Sequence, residues 1–212
     1  MNNEAVLKAL NWRYAVQIFD PTKKVNEEDI TTILESGRLA PSVLGIEPWK
    51  FIVITNPEVR ARLKIAGFGQ PKITDASHLV VIAHRTSADT LGQERTENIA
   101  ITQNVPIEAL TPLRQMIDGT AAAHAAGGMV GTWLKAQSYI PLGMMIETAA
   151  LLGIDSGPME GFDPAAVDEI LGLPAQGLHS TTMLALGYRG EDPAASRPKV
   201  RRPFTSVVEY IK

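Results

Sequence analysis

Cysteine is absent from the 212 residues, which excludes disulfides, thiolate catalysis and Cys-ligated zinc or iron-sulfur sites. Any redox chemistry must therefore be borrowed from a bound group. Charge of one sign is scarce as well. The net charge is −3, and the basic runs go no further than the pairs Lys23-Lys24 and Arg201-Arg202, so nucleic acid is not an expected partner. Long apolar runs are missing too. The most apolar window, Ala136 to Gly153, is interrupted by Gln137, Pro141 and Glu147, which suits a helix buried in protein and gives no expectation of membrane insertion. The first twenty residues have no basic start followed by an unbroken apolar stretch, so they do not read as a signal peptide and a cytoplasmic address is expected. The four histidines, at 78, 84, 124 and 179, lack metal-ligand spacing, and no metal site is expected. Gly67-Phe68-Gly69 lacks the third glycine of a dinucleotide fingerprint and does not join a strand to a helix.

What is present is an ordinary globular composition, 45% hydrophobic and 20% charged, in a chain long enough for one core, so a single domain over residues 1–212 is expected. Val6, Leu7 and Leu10 predict a helix from Glu4 to Trp12, and Val16 to Phe19 a short strand. Asn26 before three acids predicts a helix through Ile30, Ile33 and Leu39 that stops before Pro41. Phe51 to Ile54 reads as a strand, Asn56-Pro57 as the start of a helix to Leu63, Ala66 to Thr74 as a loop, and Leu79 to Ala83 as a buried strand. From Thr86 to Gln115 the chain is poorly patterned, and helices with a mobile excursion are expected. Gly119 to Trp133 and Leu134 to Leu152 predict long helices, the second kinked or divided at Pro141. Thr181 to Leu186 predicts a last core strand. The proline-bearing tail from Arg189 has no core of its own, and a β-like segment is expected at Thr205 to Tyr210. Helices around a modest sheet, without regular βα alternation, make the fold class α+β.

Four segments stand out together: Arg13-Tyr14-Ala15-Val16-Gln17-Ile18-Phe19-Asp20, Ala40-Pro41-Ser42 through Glu47-Pro48-Trp49, Gly157-Pro158-Met159-Glu160-Gly161-Phe162-Asp163, and Arg197-Pro198-Lys199-Val200-Arg201. Taken singly, they are a helix exit, a loop before a strand, a turn and a solvated basic tail. Their order and spacing, with Asp75-Ala76-Ser77-His78 between them, resemble the nitroreductase family of FMN enzymes from about Val6 to Glu209.

That resemblance implies a mainly antiparallel sheet surrounded by helices, and a homodimer whose C-terminal tail wraps the partner subunit. It implies FMN as cofactor and NAD(P)H as co-substrate. NAD(P)H and then a nitroaromatic, quinone or flavin-type acceptor would use one place over the ring, in ping-pong order. It assigns Arg13, Lys199 and Arg201 to the FMN phosphate, Lys72 to the N1/O2 edge of the ring, and the backbone N–H groups of Glu160 and Gly161 to N5 and O4. Tyr14, Val43, Pro158 and Met159 belong to the same set. Pro41, Ser42, Gln137 and Ile140 match positions that reach the partner's flavin. No side-chain acid, base or nucleophile is implied, and residues 91–115 would form a variable lid. The chain departs from the family pattern at four of these positions. Ala15 replaces a hydroxyl, Gln17 a basic residue, and Gly45 and Gly69 an asparagine, with Gln70 available to compensate for Gly69. A flavin-fragmenting or dehalogenating reductase on the same scaffold, or a non-enzymatic flavin-binding module, are the alternatives.

Overall fold

Asparagine starts the first three helices, because its short side chain accepts the free N–H groups of a first turn. In the computed structural model, which describes residues 2–212, helix α1 (Asn3–Trp12) is capped by Asn2, whose side chain accepts the Ala5 N–H. Helix α2 (Glu27–Arg38) is capped by Asn26 through Asp29 and carries its acids in the first turn. Helix α3 (Pro57–Ala66) has Asn56 at its cap and Pro57 at the position where a missing N–H costs nothing.

Strands β1 (Trp49–Ile54), β2 (His78–Arg85), β3 (Asp155–Met159) and β4 (Leu178–Gly187) form one antiparallel sheet in the order β1-β2-β4-β3. The period-two alternation of strands divides the core between its faces. Val80, Ile82, Leu184 and Leu186 pack with Ile30 and Ile33 of α2, while Leu79, Val81, Met183 and Ala185 pack with Leu63 of α3. The α+β class and the antiparallel sheet expected from the sequence are borne out.

Several boundaries differ from the sequence reading, each for a physical reason. Val16 to Phe19 is not a strand. Isolated bridges flank it, Ala15 with Ser156 and Phe19 with Arg189, and the Val16 N–H donates to the Ser156 carbonyl at 3.1 Å. The loop predicted over Ala66 to Thr74 contains the end of α3 and the start of a one-turn helix, α4 (Lys72–Asp75). The unpatterned stretch from Thr86 holds α5 (Leu91–Gln103) and leads into α6 (Thr111–Ala126). Periodicity is weak in α5 because only Leu91, Gly92 and Thr96 are buried.

The predicted long helices are broken twice. A turn at Gly127-Gly128 separates α6 from α7 (Val130–Gln137), and Ser138 separates α7 from α8 (Tyr139–Leu151). Pro141 is not the break. It lies in the first turn of α8, where its missing N–H leaves no helical bond unmade. Strand β3 replaces the turn that Gly157-Pro158 suggests, and helix α9 (Pro164–Leu171), capped by Asp163, adds to the elements that the sequence predicts. Thr205 to Tyr210 is not a strand, and the tail carries only short 3-10 turns at Pro193–Ser196 and Phe204–Ser206. Among the described residues no helix is long and apolar enough to cross a membrane, and no three metal-ligating side chains are grouped for an ion.

Candidate functional site

Helix α1 ends at Trp12, and Arg13, its cap, has an extended backbone and lines a cleft of about 480 Å³. Trp12, Tyr14, Ala15 and Pro158 line one part of this cleft, and Arg197, Lys199 and Arg201 of the tail another. The Lys199 ammonium donates to the Arg13 carbonyl, and Arg201 to the carbonyl of Val200 at 2.7 Å. Among the described residues none of these four cations forms an ion pair. Burial and the neighbouring Arg201 push the pKa of Arg13 down, and burial with Arg13 and Arg201 does the same to Lys199. Like charges gathered without a counter-charge mark a place built for an anion.

The tail is brought to α1 by a second set of contacts. Arg189 lies over the rings of Trp12 and Tyr14, 4.3 and 4.7 Å from their centroids, and its Nε is 2.9 Å from Asp155 Oδ1. Tyr14 donates to Asp192 at 3.1 Å. Burial would raise the Asp192 pKa, but hydrogen bonds from Gln17, Ala194, Ile18 and Tyr14 hold it below the usual carboxylate range.

Lys72 is 4% exposed, and its ammonium donates to Gln17 Oε1 at 3.2 Å. No carboxylate pairs with it among the described residues, and burial lowers its pKa. Gly157 of β3 runs alongside. A Cβ there would lie 2.8 Å from the Val16 carbonyl oxygen and 3.5 Å from the Lys72 side chain, so glycine lets the strand approach. Beyond β3, the Glu160 and Gly161 N–H groups have no acceptor among the described residues. The Glu160 carboxylate accepts the Tyr139 hydroxyl and lies 3.6 Å from Lys135 Nζ.

A second group sits elsewhere on the chain. Ser42 Oγ accepts the Glu47 N–H at 2.8 Å, and Gln137 Oε1 accepts the Val43 N–H at 2.9 Å. The loop between is strained, with positive φ at Leu44, Gly45 and Glu47. Gly45 lies under the Arg95 guanidinium, which a Cβ would approach to 2.6 Å. Ile140 is 39% exposed on α8. No hydrogen bond among the described residues joins Pro41, Ser42, Val43, Gly45, Gln137 or Ile140 to the cationic cleft.

Residues 10–188 match the model of the nitroreductase family. The chain belongs to that family. A Staphylococcus aureus (strain bovine RF122 / ET3-1) protein named "Putative NAD(P)H nitroreductase" is 38% identical over 217 residues, covering 99% of this chain and 96% of the relative. Among solved structures, a nitroreductase-like protein from Streptococcus mutans superposes with a TM-score of 0.85 at 22% identity over 99% of both chains. An Exiguobacterium sibiricum protein solved in complex with FMN gives 0.82 at 22%, covering 100% of this chain and 98% of that one.

Within this nitroreductase-family chain, the departures from the family pattern acquire physical content. Gln17 gives Lys72 an oxygen in place of a second positive charge and anchors its own amide on the Ala15 carbonyl at 2.9 Å. Gly69 has φ +77 with open space where a side chain would stand, a conformation that asparagine tolerates less well than glycine. Gln70 is committed to the protein. Its amide donates to the Gly67 and Gly161 carbonyls at 3.0 and 2.7 Å, so those donors hold the turn and are not free to replace one lost at Gly69. The sequence reading did not single out Arg197, Arg189, Asp155, Asp192, Lys135 or Tyr139. Arg197 lay inside a quoted motif, whereas Arg189, Asp192, Lys135 and Tyr139 carry no local signal.

Proposed function

We propose that this chain is one FMN-binding domain over residues 1–212. It works as a homodimeric NAD(P)H-dependent oxidoreductase, with nitroaromatic, quinone or flavin-type molecules as acceptors in ping-pong order. The observation that carries this reading is the cleft holding Arg13, Lys199 and Arg201 without a counter-charge. A phosphate monoester fits that donor set, since guanidinium forks and an ammonium match its oxygens. The Glu160 and Gly161 N–H groups, and the Lys72 ammonium, which has no carboxylate partner among the described residues, fit the polar edge of an isoalloxazine ring. When bound, the flavin supplies hydride transfer between NAD(P)H and the acceptor.

The chain's own residues then bind, orient and tune. Arg13, Lys199 and Arg201 grip the phosphate, with Tyr14, Ala15, Pro158 and Met159 along the wall. Lys72, steadied by Gln17, offers positive charge where negative charge collects on reduction. Gly69 and Gln70 shape the turn beside Gly161. Pro41, Ser42, Val43, Gly45, Gln137 and Ile140, which stand apart from the cleft of their own chain, complete the partner's site. The tail supports the same dimer, because Val200, Phe204, Tyr210 and Ile211 are 64% exposed or more and need a cover.

Anaerobic mixing of the yellow holoprotein with NADH or NADPH should bleach the flavin absorbance, and a quinone should restore it. A protein that takes up no FMN on reconstitution would overturn the reading. Sedimentation should give about twice the 22.9 kDa chain mass. A monomer that retains FMN at micromolar concentration would refute the shared site.

A further inference from the structure

Most polar groups of the turn from Met159 to Asp163 are fastened. Met159 closes the β3 ladder opposite Met183, and the Asp163 N–H donates to the Ala66 carbonyl at 2.9 Å. The Glu160 carbonyl accepts the Phe162 N–H at 3.1 Å, and the Gly161 carbonyl accepts Gln70 Nε2 at 2.7 Å. The Glu160 carboxylate takes the Tyr139 phenol. Left over among the described residues are the Phe162 carbonyl and two donors, the N–H groups of Glu160 and Gly161.

We infer that Tyr139 is a positioning residue, acting through the Glu160 carboxylate to aim these two N–H groups at the flavin. The inference rests on the flavin assignment above. Tyr139 suits this task by its place in the fold. It is the first residue of α8, directly after the break at Ser138, so its ring projects from a helix start anchored by a fully buried residue. A phenol loses little freedom when fixed, having only two side-chain torsions. Burial and the bond to Glu160 raise its pKa to about 12, so it remains a proton-bearing donor throughout the working range. Lys135 contributes less. Its ammonium lies 3.6 Å from the carboxylate, and the two side chains are 44% and 61% exposed, a pair that water screens. One residue before the break, Gln137 holds the Val43 N–H, so the same corner fixes a segment assigned to the partner's flavin.

The test compares Tyr139→Phe, which keeps the ring, with Lys135→Met. In the flavin-free protein, 15N relaxation should give the Glu160 and Gly161 amides order parameters near those of rigid backbone, roughly 0.85, falling below about 0.6 in Tyr139→Phe. In the holoprotein, Tyr139→Phe should slow flavin reduction by NADH about tenfold or more through misplacement, with an altered midpoint potential and unchanged FMN affinity. Lys135→Met should stay near the parent in every readout. Parent-like order parameters and reduction rate in Tyr139→Phe would overturn the inference. So would a loosened turn with unchanged rate and potential, which is a structural role only. Should Tyr139→Phe fail to fold, Glu160→Ala removes the same bond and is read identically. A parent that takes up no FMN sinks the flavin assignment and the inference with it, whereas a parent that binds FMN beside a parent-like Tyr139→Phe sinks the inference alone.

Discussion

Arg201→Ala should weaken FMN binding about tenfold to hundredfold, because a charge-assisted bond to phosphate contributes roughly 1.5 to 3 kcal/mol. Riboflavin, which lacks the phosphate, should lose almost nothing. The geometry sharpens this contrast. In the flavin-free protein Arg201 depresses the pKa values of Arg13 and Lys199, so its removal relieves repulsion and should leave thermal stability unchanged or slightly higher. A solvated basic tail would instead show a few tenths of a kcal/mol at most for either ligand. Fluorescence quenching of both flavins by parent and variant settles the matter. Equal losses for FMN and riboflavin would mean that Arg201 acts through folding or the dimer contact.

Lys72→Met should separate function from stability in the opposite direction. Two unit charges about 4 Å apart interact by about 4 kcal/mol at an effective dielectric of 20, which sets the upper scale for an ammonium beside a reduced ring. Its loss should lower the flavin midpoint potential by roughly 50 to 90 mV, taking about 30 mV per 1.4 kcal/mol for a two-electron couple. Without flavin, the same substitution removes a buried ammonium whose only polar partner among the described residues is Gln17, so the melting temperature of the apoprotein should rise. The sign follows from linkage. Burial holds the folded pKa of Lys72 below the ordinary lysine value of 10.5, so the unfolded chain binds more protons between those two values. Apoprotein stability therefore increases with pH across that window, and Lys72→Met should flatten the increase. An unchanged potential in spectroelectrochemistry, with FMN still bound, would remove Lys72 from the ring edge.

These two residues also mark how far the sequence was legible. Lys72 was singled out through the family resemblance alone, since a lysine between a proline and an isoleucine has no physical signature of the burial it shows. Interiors of the sheet were readable because Leu79–Ala83 of β2 and Thr181–Leu186 of β4 are unbroken runs of branched and apolar residues, and Asn26 and Asn56-Pro57 announce their helices chemically. Strand β3 was hidden because its glycine and proline suit a close approach and a sheet edge, and both weaken the strand pattern. The break at Ser138 was displaced to Pro141 because a proline in a first helical turn looks, in sequence, like one in a helix interior. The Trp12–Arg189–Tyr14 stack joins residues 177 positions apart at its farthest and depends on the tertiary fold, which no local pattern encodes.

The bridge from Val16 to Ser156 has a consequence for solubility. A four-stranded open sheet has two edges, and each is a template on which another chain can add a strand. On one side β1 is short and carries Lys50, tied to Gln176 at 2.8 Å. On the other, β3 contains Pro158, which offers no N–H, and its outer side is closed by the segment around Ala15 and Val16. That segment begins at Arg13. Should residues 13–19 come loose, the anion grip and the edge guard would fail together, so loss of cofactor and the onset of aggregation should occur at the same temperature.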